Sequence, residues 1–400
     1  MAMINKAIKV SEHVYWVGAI DWTIRDFHGY TTKRGSSYNA YLILADKITL
    51  IDTVKAPFKD ELLSRISSLI DPRDIDFMIS NHSEMDHSGC FAELVKELKP
   101  EKAYASTMGV KTLANHFNFT DEIIALKTAD ELSLGNMKLS FMETRMLHWP
   151  DSMFTYLEDE NLLFSQDAFG MHLASSERFV DEIDENIINY EAATYYANIL
   201  LPYSQLVLNL IEQVKNAGLD IWIIAPDHGP IWRKDLGRIL ELYQQWANQK
   251  PTSKAVVLYD TMWHSTERMA RAIEEGLIGG GAKAEVMSMR AHHRSEVVYE
   301  LLDAGALIAG SPTLNNNILP SMADVMTYLK GLKPKNLLGA AFGSYGWSGE
   351  STAYLNDILA EMKIELVSDP IKTKYVPDPD SLTLCYNLGL KIAEKLKEEL

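Results

Sequence analysis

Cysteine is almost missing from the chain. Cys90 and Cys385 are the only two in 400 residues, which excludes a thiolate metal cage and a disulfide-stapled scaffold. Positive charge is scarce too: 38 Lys and Arg against 55 Asp and Glu leave a formal net charge of -17. Nucleic-acid binders need a basic footprint for phosphates, so that class is excluded as well. An acidic surface favours solubility and could receive a basic partner without identifying one. No apolar run is long enough to cross a bilayer. The first twenty residues carry Lys6, Lys9, Glu12 and His13 and lack a secretory apolar core. The expectation from these absences is a cytoplasmic protein that binds neither nucleic acid nor membrane. What is present is apolar mass: at 47% apolar content the chain can fill two ordinary cores, so two domains are expected.

The first half alternates short strands with helical patterns. Residues 14–18, 40–44, 48–52, 75–80 and 138–142 read as strands and residues 91–98 as a helix face. The mixture predicts an α+β layered sandwich. Residues 21–30, dense in aromatic and polar groups, read either as a functional loop or as a packed cover over the core. Character changes near residues 249–252. Beyond it, strands are predicted at 254–259, 283–287, 306–309, 336–342 and 364–367. Helices are predicted at 266–276, 295–303, 321–329, 350–361 and 381–396. Five strands alternating with helices predict a doubly wound α/β domain whose ligands lie beyond the carboxyl ends of the strands. The expected domains are residues 1–250 and 251–400.

The densest chemistry lies in His82-Ser83-Glu84-Met85-Asp86-His87, directly beyond a predicted buried strand. Imidazole mixed with carboxylate suits first-row transition metals. Three more candidates follow apolar runs: His148, Asp167 and His228. Four imidazoles and three carboxylates supply donors for two metals, with one carboxylate free to bridge. Singly, each histidine reads as an ordinary hydrogen-bonded residue, and Asp86 could cap the helix that follows it. As a set they would bury too many polar groups without partners.

On these residues the first domain resembles the metallo-β-lactamase-like fold, and residues 10–398 resemble the flavodiiron proteins, also called A-type flavoproteins. Zinc hydrolases of the broad fold carry histidine where this chain has Glu84, and the harder carboxylate suits redox-cycling iron. The resemblance implies two iron ions, one held by His82, Glu84 and His148, the other by Asp86, His87 and His228, with Asp167 bridging. It leaves open whether His87 ligates, since some members give that contact to water. His28 sits in a stretch similar to the family's active-site cover. His172 is a second candidate for the substrate pocket, with packing as the alternative.

The second domain opens with Thr261-Met262-Trp263-His264-Ser265-Thr266 between its first strand and first helix. Hydroxyls at a helix N-terminus offer oriented donors to a phosphate. The lack of GxGxxG weakens a nicotinamide-dinucleotide reading, and the lack of GK[ST] removes a triphosphate loop. Ser311-Pro312-Thr313-Leu314-Asn315 and Gly343-Ser344-Tyr345-Gly346-Trp347 follow later predicted strands at the same sheet edge. This arrangement resembles a flavodoxin domain, which implies FMN with its phosphate near Thr261 to Thr266 and its ring between the other two loops. Trp263 and Trp347 read alternatively as core aromatics.

The resemblance implies an enzyme that reduces dioxygen to water, nitric oxide to nitrous oxide, or both. It also implies a head-to-tail homodimer or homotetramer. The chain ends close to the expected end of the flavin domain, so an external donor is expected: rubredoxin, with a reduced deazaflavin as the alternative. Two other classes compete with this one. A metal hydrolase with an accessory flavodoxin domain is disfavoured by Glu84, and an FMN electron-transfer or redox-sensing protein by the complete ligand set.

Overall fold

A computed structural model describes residues 5–118 and 122–399. The chain forms two compact units. One holds the chain up to Tyr195 together with Gln205–Gln244; the other holds Tyr196–Ser204 and the chain from Gln245 onward. The short piece Tyr196–Ser204 thus leaves the sequence of the first unit to join the second.

The first unit is a metallo-β-lactamase-like sandwich. Its seven-stranded sheet runs in the order Ile8–Lys9, Val14–Trp16, Tyr41–Ile43, Thr49–Ile51, Phe77–Ser80, Lys102–Ser106 and Ile123–Leu126. Its five-stranded sheet runs Glu131–Ser133, Lys138–Glu143, Met153–Leu157, Leu162–Gln166 and Ile223–Pro226. Successive side chains in a strand point to opposite faces, and the central strands show the consequence. Tyr41, Ile43, Ile51, Phe77 and Ile79 pack with Leu139, Phe141, Leu162 and Phe164 of the other sheet. Their neighbours Leu42, Leu50 and Met78 pack on the opposite side with Leu62, Ile66, Leu94 and Leu98 from helices Lys59–Ser67 and Phe91–Leu98. Both faces are apolar because both are covered.

The stretch 21–30 contains a hairpin, Asp26–Phe27 paired with Tyr30–Thr31. Its two-residue turn, His28 and Gly29, has φ of 55° and 83°. A turn of this kind needs positive φ at both central positions, so His28 stands at the tip with its side chain 71% exposed.

The second unit is flavodoxin-like. Its sheet is parallel throughout, in the order Lys283–Ser288, Lys254–Tyr259, Ala306–Gly310, Leu338–Tyr345 and Glu365–Leu366. The strand order reverses around Lys254–Tyr259, which puts a crevice beyond the carboxyl ends of that strand and Ala306–Gly310. The last strand is broken where one strand is predicted. Residues 367–370 interrupt it, ending at Pro370, and Ile371–Lys374 then pairs farther along Leu338–Tyr345. Proline supplies no ladder donor, so the break falls there.

Candidate metal centre and flavin site

Each metal-ligand candidate follows a strand end or lies in a loop beside one. His82, Glu84, Asp86 and His87 come directly after Phe77–Ser80, Asp167 after Leu162–Gln166, and His228 after Ile223–Pro226. His148 lies between Lys138–Glu143 and Met153–Leu157. Asp86 is inside a short helical turn, Met85–Ser88, rather than capping a helix.

The other six side chains gather around Asp167. Its Oδ2 lies 2.8 Å from His148 Nε2 and 3.3 Å from His82 Nε2. Its Oδ1 lies 3.3 Å from His87 Nε2 and 3.5 Å from His228 Nε2. Glu84 Oε2 joins the first pair, 3.3 Å from both His82 Nε2 and His148 Nε2. Asp86 Oδ2 joins the second, 3.4 Å from His87 Nε2 and 3.2 Å from His228 Nε2. One carboxylate therefore splits its two oxygens between two donor groups of matching composition.

Hydrogen bonding alone does not account for this packing. Both oxygens of Asp86 and Oδ1 of Asp167 are buried without a hydrogen bond, although imidazole nitrogens are close. His87 Nε2 and His228 Nε2 face each other at 3.1 Å. Carboxylate oxygens left unbonded beside crowded imidazole nitrogens are what a bound cation would resolve. The outer nitrogens prepare the inner ones. His228 Nδ1 donates to the Ser37 carbonyl at 2.7 Å, and His82 Nδ1 donates to Asp151 Oδ2 at 3.3 Å. Each bond fixes the tautomer that leaves Nε2 a lone pair for a metal.

The charges balance locally. Burial opposes ionisation of Asp167, yet the imidazoles of His82, His148 and His87 outweigh it and hold the carboxyl well below its ordinary range. Burial also opposes protonation of His148, but Asp167 and Glu84 push it up to about 9. Burial works against His82 too, and Asp167, Asp151 and Glu84 overcome it. The pocket thus demands positive charge, which protons on imidazole or metal cations can supply.

His28 reaches the cluster from outside: its Nε2 is 3.0 Å from Glu84 Oε1, the oxygen turned away from the ring nitrogens of His82 and His148. His172 is fully enclosed, with its ring 4.4 Å from that of His228 and 5.1 Å from Tyr195. Its Nδ1 is 2.8 Å from Ser36 Oγ, and its Nε2 has no hydrogen-bond partner. Burial, then the neighbouring His228, holds His172 well below its ordinary range and keeps it neutral.

Several residues of this centre carry no motif. Asp151 also accepts from Ser83 N at 2.5 Å. Gln166 donates to the Leu147 carbonyl at 2.7 Å and accepts from Asp167 N at 2.6 Å, tying the His148 loop to the Asp167 loop. Gly229 has φ of +74°, and a Cβ there would come within 2.6 Å of the Met171 carbonyl. Only glycine allows the His228 loop that close approach.

The second unit contains a cavity of about 620 Å³ beyond its strand ends. Met262, Trp263, Ser265, Pro312, Thr313, Asn315, Ser344, Tyr345, Gly346 and Trp347 line it. Trp263 and Trp347 are each 87% exposed, so they are not core aromatics. Thr261, Thr266, Ser311 and Gly343 stand behind the lining: the first three are buried, and a Cβ on Gly343 would meet the Ser311 carbonyl at 2.1 Å. Thr266 Oγ1 lies 3.0 Å from Ser344 Oγ, joining the first loop to the third. His264 points outward and pairs with Glu267 at 2.6 Å, while the Leu314 backbone closes a tight turn with Asn317. Asn316 and Ser348, the next residues of the second and third loops, also line the cavity, and so do Tyr375 and Val376, which were not expected. The last two follow Ile371–Lys374, the missed strand.

A planar aromatic group with a phosphate fits this cavity. The N-terminus of helix Ser265–Gly279 opens onto it, the buried Thr261 hydroxyl lacks a partner, and two exposed indoles stand at its rim.

Comparison with known proteins agrees with both halves. The family model described as ODP family beta lactamase matches residues 37–229, and the flavodoxin model matches residues 257–389. The chain is 45% identical to a nitric oxide reductase of Moorella thermoacetica, over 99% of this chain and 100% of that one. The solved rubredoxin oxygen:oxidoreductase of Desulfovibrio gigas superposes with a TM-score of 0.97 at 44% identity, covering 98% of this chain and 99% of that one. The flavodiiron protein of Giardia intestinalis superposes with a TM-score of 0.93 at 32% identity, covering 98% and 97%. Similarity of this extent, running through a carboxylate-split donor cluster and a flavodoxin-like unit alike, places the chain in the flavodiiron protein family.

Proposed function

We propose that this chain reduces dioxygen to water, nitric oxide to nitrous oxide, or both. The observation that carries the reading is Asp167, whose two oxygens each face a separate group of histidines and a carboxylate. His82, Glu84, His148 and Asp167 Oδ2 would hold one iron; Asp86, His87, His228 and Asp167 Oδ1 would hold the other. FMN would occupy the cavity between the Met262–Ser265, Pro312–Asn315 and Ser344–Trp347 loops. A two-electron flavin and two irons together supply the four electrons that convert dioxygen to two waters.

The protein's own groups do the positioning. Asp151 and the Ser37 carbonyl hold His82 and His228 in the tautomer that binds metal. His28 Nε2, exposed on one side and bonded to Glu84 on the other, is placed to deliver protons from solvent. His172 remains neutral and fills the wall beside His228. The names of two relatives, a nitric oxide reductase and a rubredoxin oxygen:oxidoreductase, support both gases as substrates.

Electrons arrive from rubredoxin in this reading, with a reduced deazaflavin as the alternative donor. The chain works in the cytoplasm as a head-to-tail homodimer or homotetramer. Among the described residues no helix is long and apolar enough to cross a membrane. The test is stopped-flow oxidation of fully reduced, metal-quantified protein by each gas in parallel. Faster oxidation by dioxygen with water as product assigns an oxygen reductase. Faster turnover of nitric oxide to nitrous oxide assigns the other activity. Reaction with neither gas, at full iron and FMN occupancy, overturns the proposal.

A further inference from the structure

We propose that Asp260 and Arg290 bracket the phosphate loop and are positioning residues that make the cavity select a phosphorylated flavin. The inference rests on the reading of that cavity as the FMN site. Asp260 directly follows strand Lys254–Tyr259 and is buried. Its Oδ1 accepts from Thr261 N at 2.6 Å and from Arg290 Nε at 3.1 Å, and its Oδ2 accepts from the Ser321 hydroxyl. Arg290 comes from the loop after Lys283–Ser288, and its second nitrogen donates to the Thr261 carbonyl. Three separate segments therefore meet on one carboxylate directly before the loop.

The geometry has a directional consequence. In a trans peptide the C=O and the following N–H point in opposite directions. With the Thr261 carbonyl tied to Arg290, the Met262 N–H points away from Arg290, and Met262 lines the cavity. The loop then passes through His264 at φ of 63° before helix Ser265–Gly279 begins. A left-handed conformation is costly for a residue other than glycine and persists only where its surroundings enforce it. The bracket is such a constraint at the loop's entrance. Because Asp260 neutralises Arg290, the pair contributes orientation rather than net charge; attraction for the phosphate comes from backbone N–H groups and the helix N-terminus.

Apoprotein titrated with FMN and with riboflavin, followed by flavin fluorescence, separates orientation from charge and from general damage. The variants are Arg290→Gln, which alters a half-exposed side chain, the near-isosteric Asp260→Asn, and Arg268→Gln as an exposed charge control on helix Ser265–Gly279. Arg290→Gln and Asp260→Asn are expected to weaken FMN on the order of tenfold, the scale of one charge-assisted hydrogen bond. Riboflavin affinity should stay unchanged in both, and Arg268→Gln should leave both flavins unaffected. Equal losses for FMN and riboflavin, no loss, or tighter FMN binding by Asp260→Asn would each overturn the bracket. If the unsubstituted apoprotein bound neither flavin, the FMN reading itself would fall, and the bracket with it.

Discussion

The donor groups of the first unit, all buried except the partly exposed His148, surround one carboxylate, whereas the two tryptophans of the second unit stand 87% exposed at the rim of an open cavity. The metal centre is built from charges that cannot be left alone in a low-dielectric interior. Its carboxylates and imidazoles must therefore balance each other or balance cations, and outer partners fix the rings of His82 and His228. The flavin cavity carries no such obligation. Apart from the buried Thr261 hydroxyl, its contacts come from backbone, hydroxyl and aromatic groups open to water. Substitution should accordingly be severe and all-or-none at the first site, graded at the second.

The hardest test of that contrast is Asp167→Asn, which removes one charge from both donor groups. We expect iron content, measured by metal analysis, to fall below half, and gas turnover to drop by at least about a hundredfold. Retention of two irons per chain would show that Asp167 does not link the groups. Asp151→Asn leaves all seven donors in place but weakens the orientation of His82. A loss of about 10- to 100-fold in metal affinity or turnover is expected, and an unchanged value would make Asp151 a bystander.

Glu191 sharpens the comparison from within the first unit. It is a buried acid facing Arg34 at 3.1 Å, with Lys33 also near, but without a ring of imidazoles. Burial wins there and pushes its carboxyl up to about 7, against an ordinary value of 4.5, with Arg34 and Lys33 opposing. The folded state thus retains a proton that the unfolded chain releases, so this residue's contribution to stability falls as pH rises from about 4.5 to about 7. Glu191→Gln should remove that loss. Relative to the parent protein, the variant should gain about 2 kcal/mol in urea unfolding between pH 5 and pH 8. A pH-independent difference would refute the assignment.

The smallest effect is expected at the open cavity. Trp347→Ala should weaken FMN about fivefold to tenfold by fluorescence titration, the worth of one aromatic contact, while iron content stays unchanged. A simultaneous loss of iron would break the separation between the two sites.

Much of this was legible before the fold was known, for identifiable reasons. His82, Glu84, Asp86 and His87 lie within six residues, so strand-end placement alone brings them together. Asp167 and His228 each end an apolar run that reads as a strand by its length and composition. The five-strand alternation of the second unit announced a parallel sheet with its ligand loops at one edge. The strand Ile371–Lys374 was missed because four residues with lysine at alternate positions carry little apolar signal. Tyr375 and Val376 were lost with it.

The sequence by itself determined two domains' worth of apolar periodicity, the local ligand motif and the loops beyond the strands, because each depends on neighbours a few residues apart. Only the tertiary structure decided how the donors divide between the oxygens of Asp167. It also decided that Asp151 orients His82 across 69 residues and Ser37 orients His228 across 191. Such contacts are made when distant loops close over a common interior, where each buried polar atom must find whatever partner the packing brings.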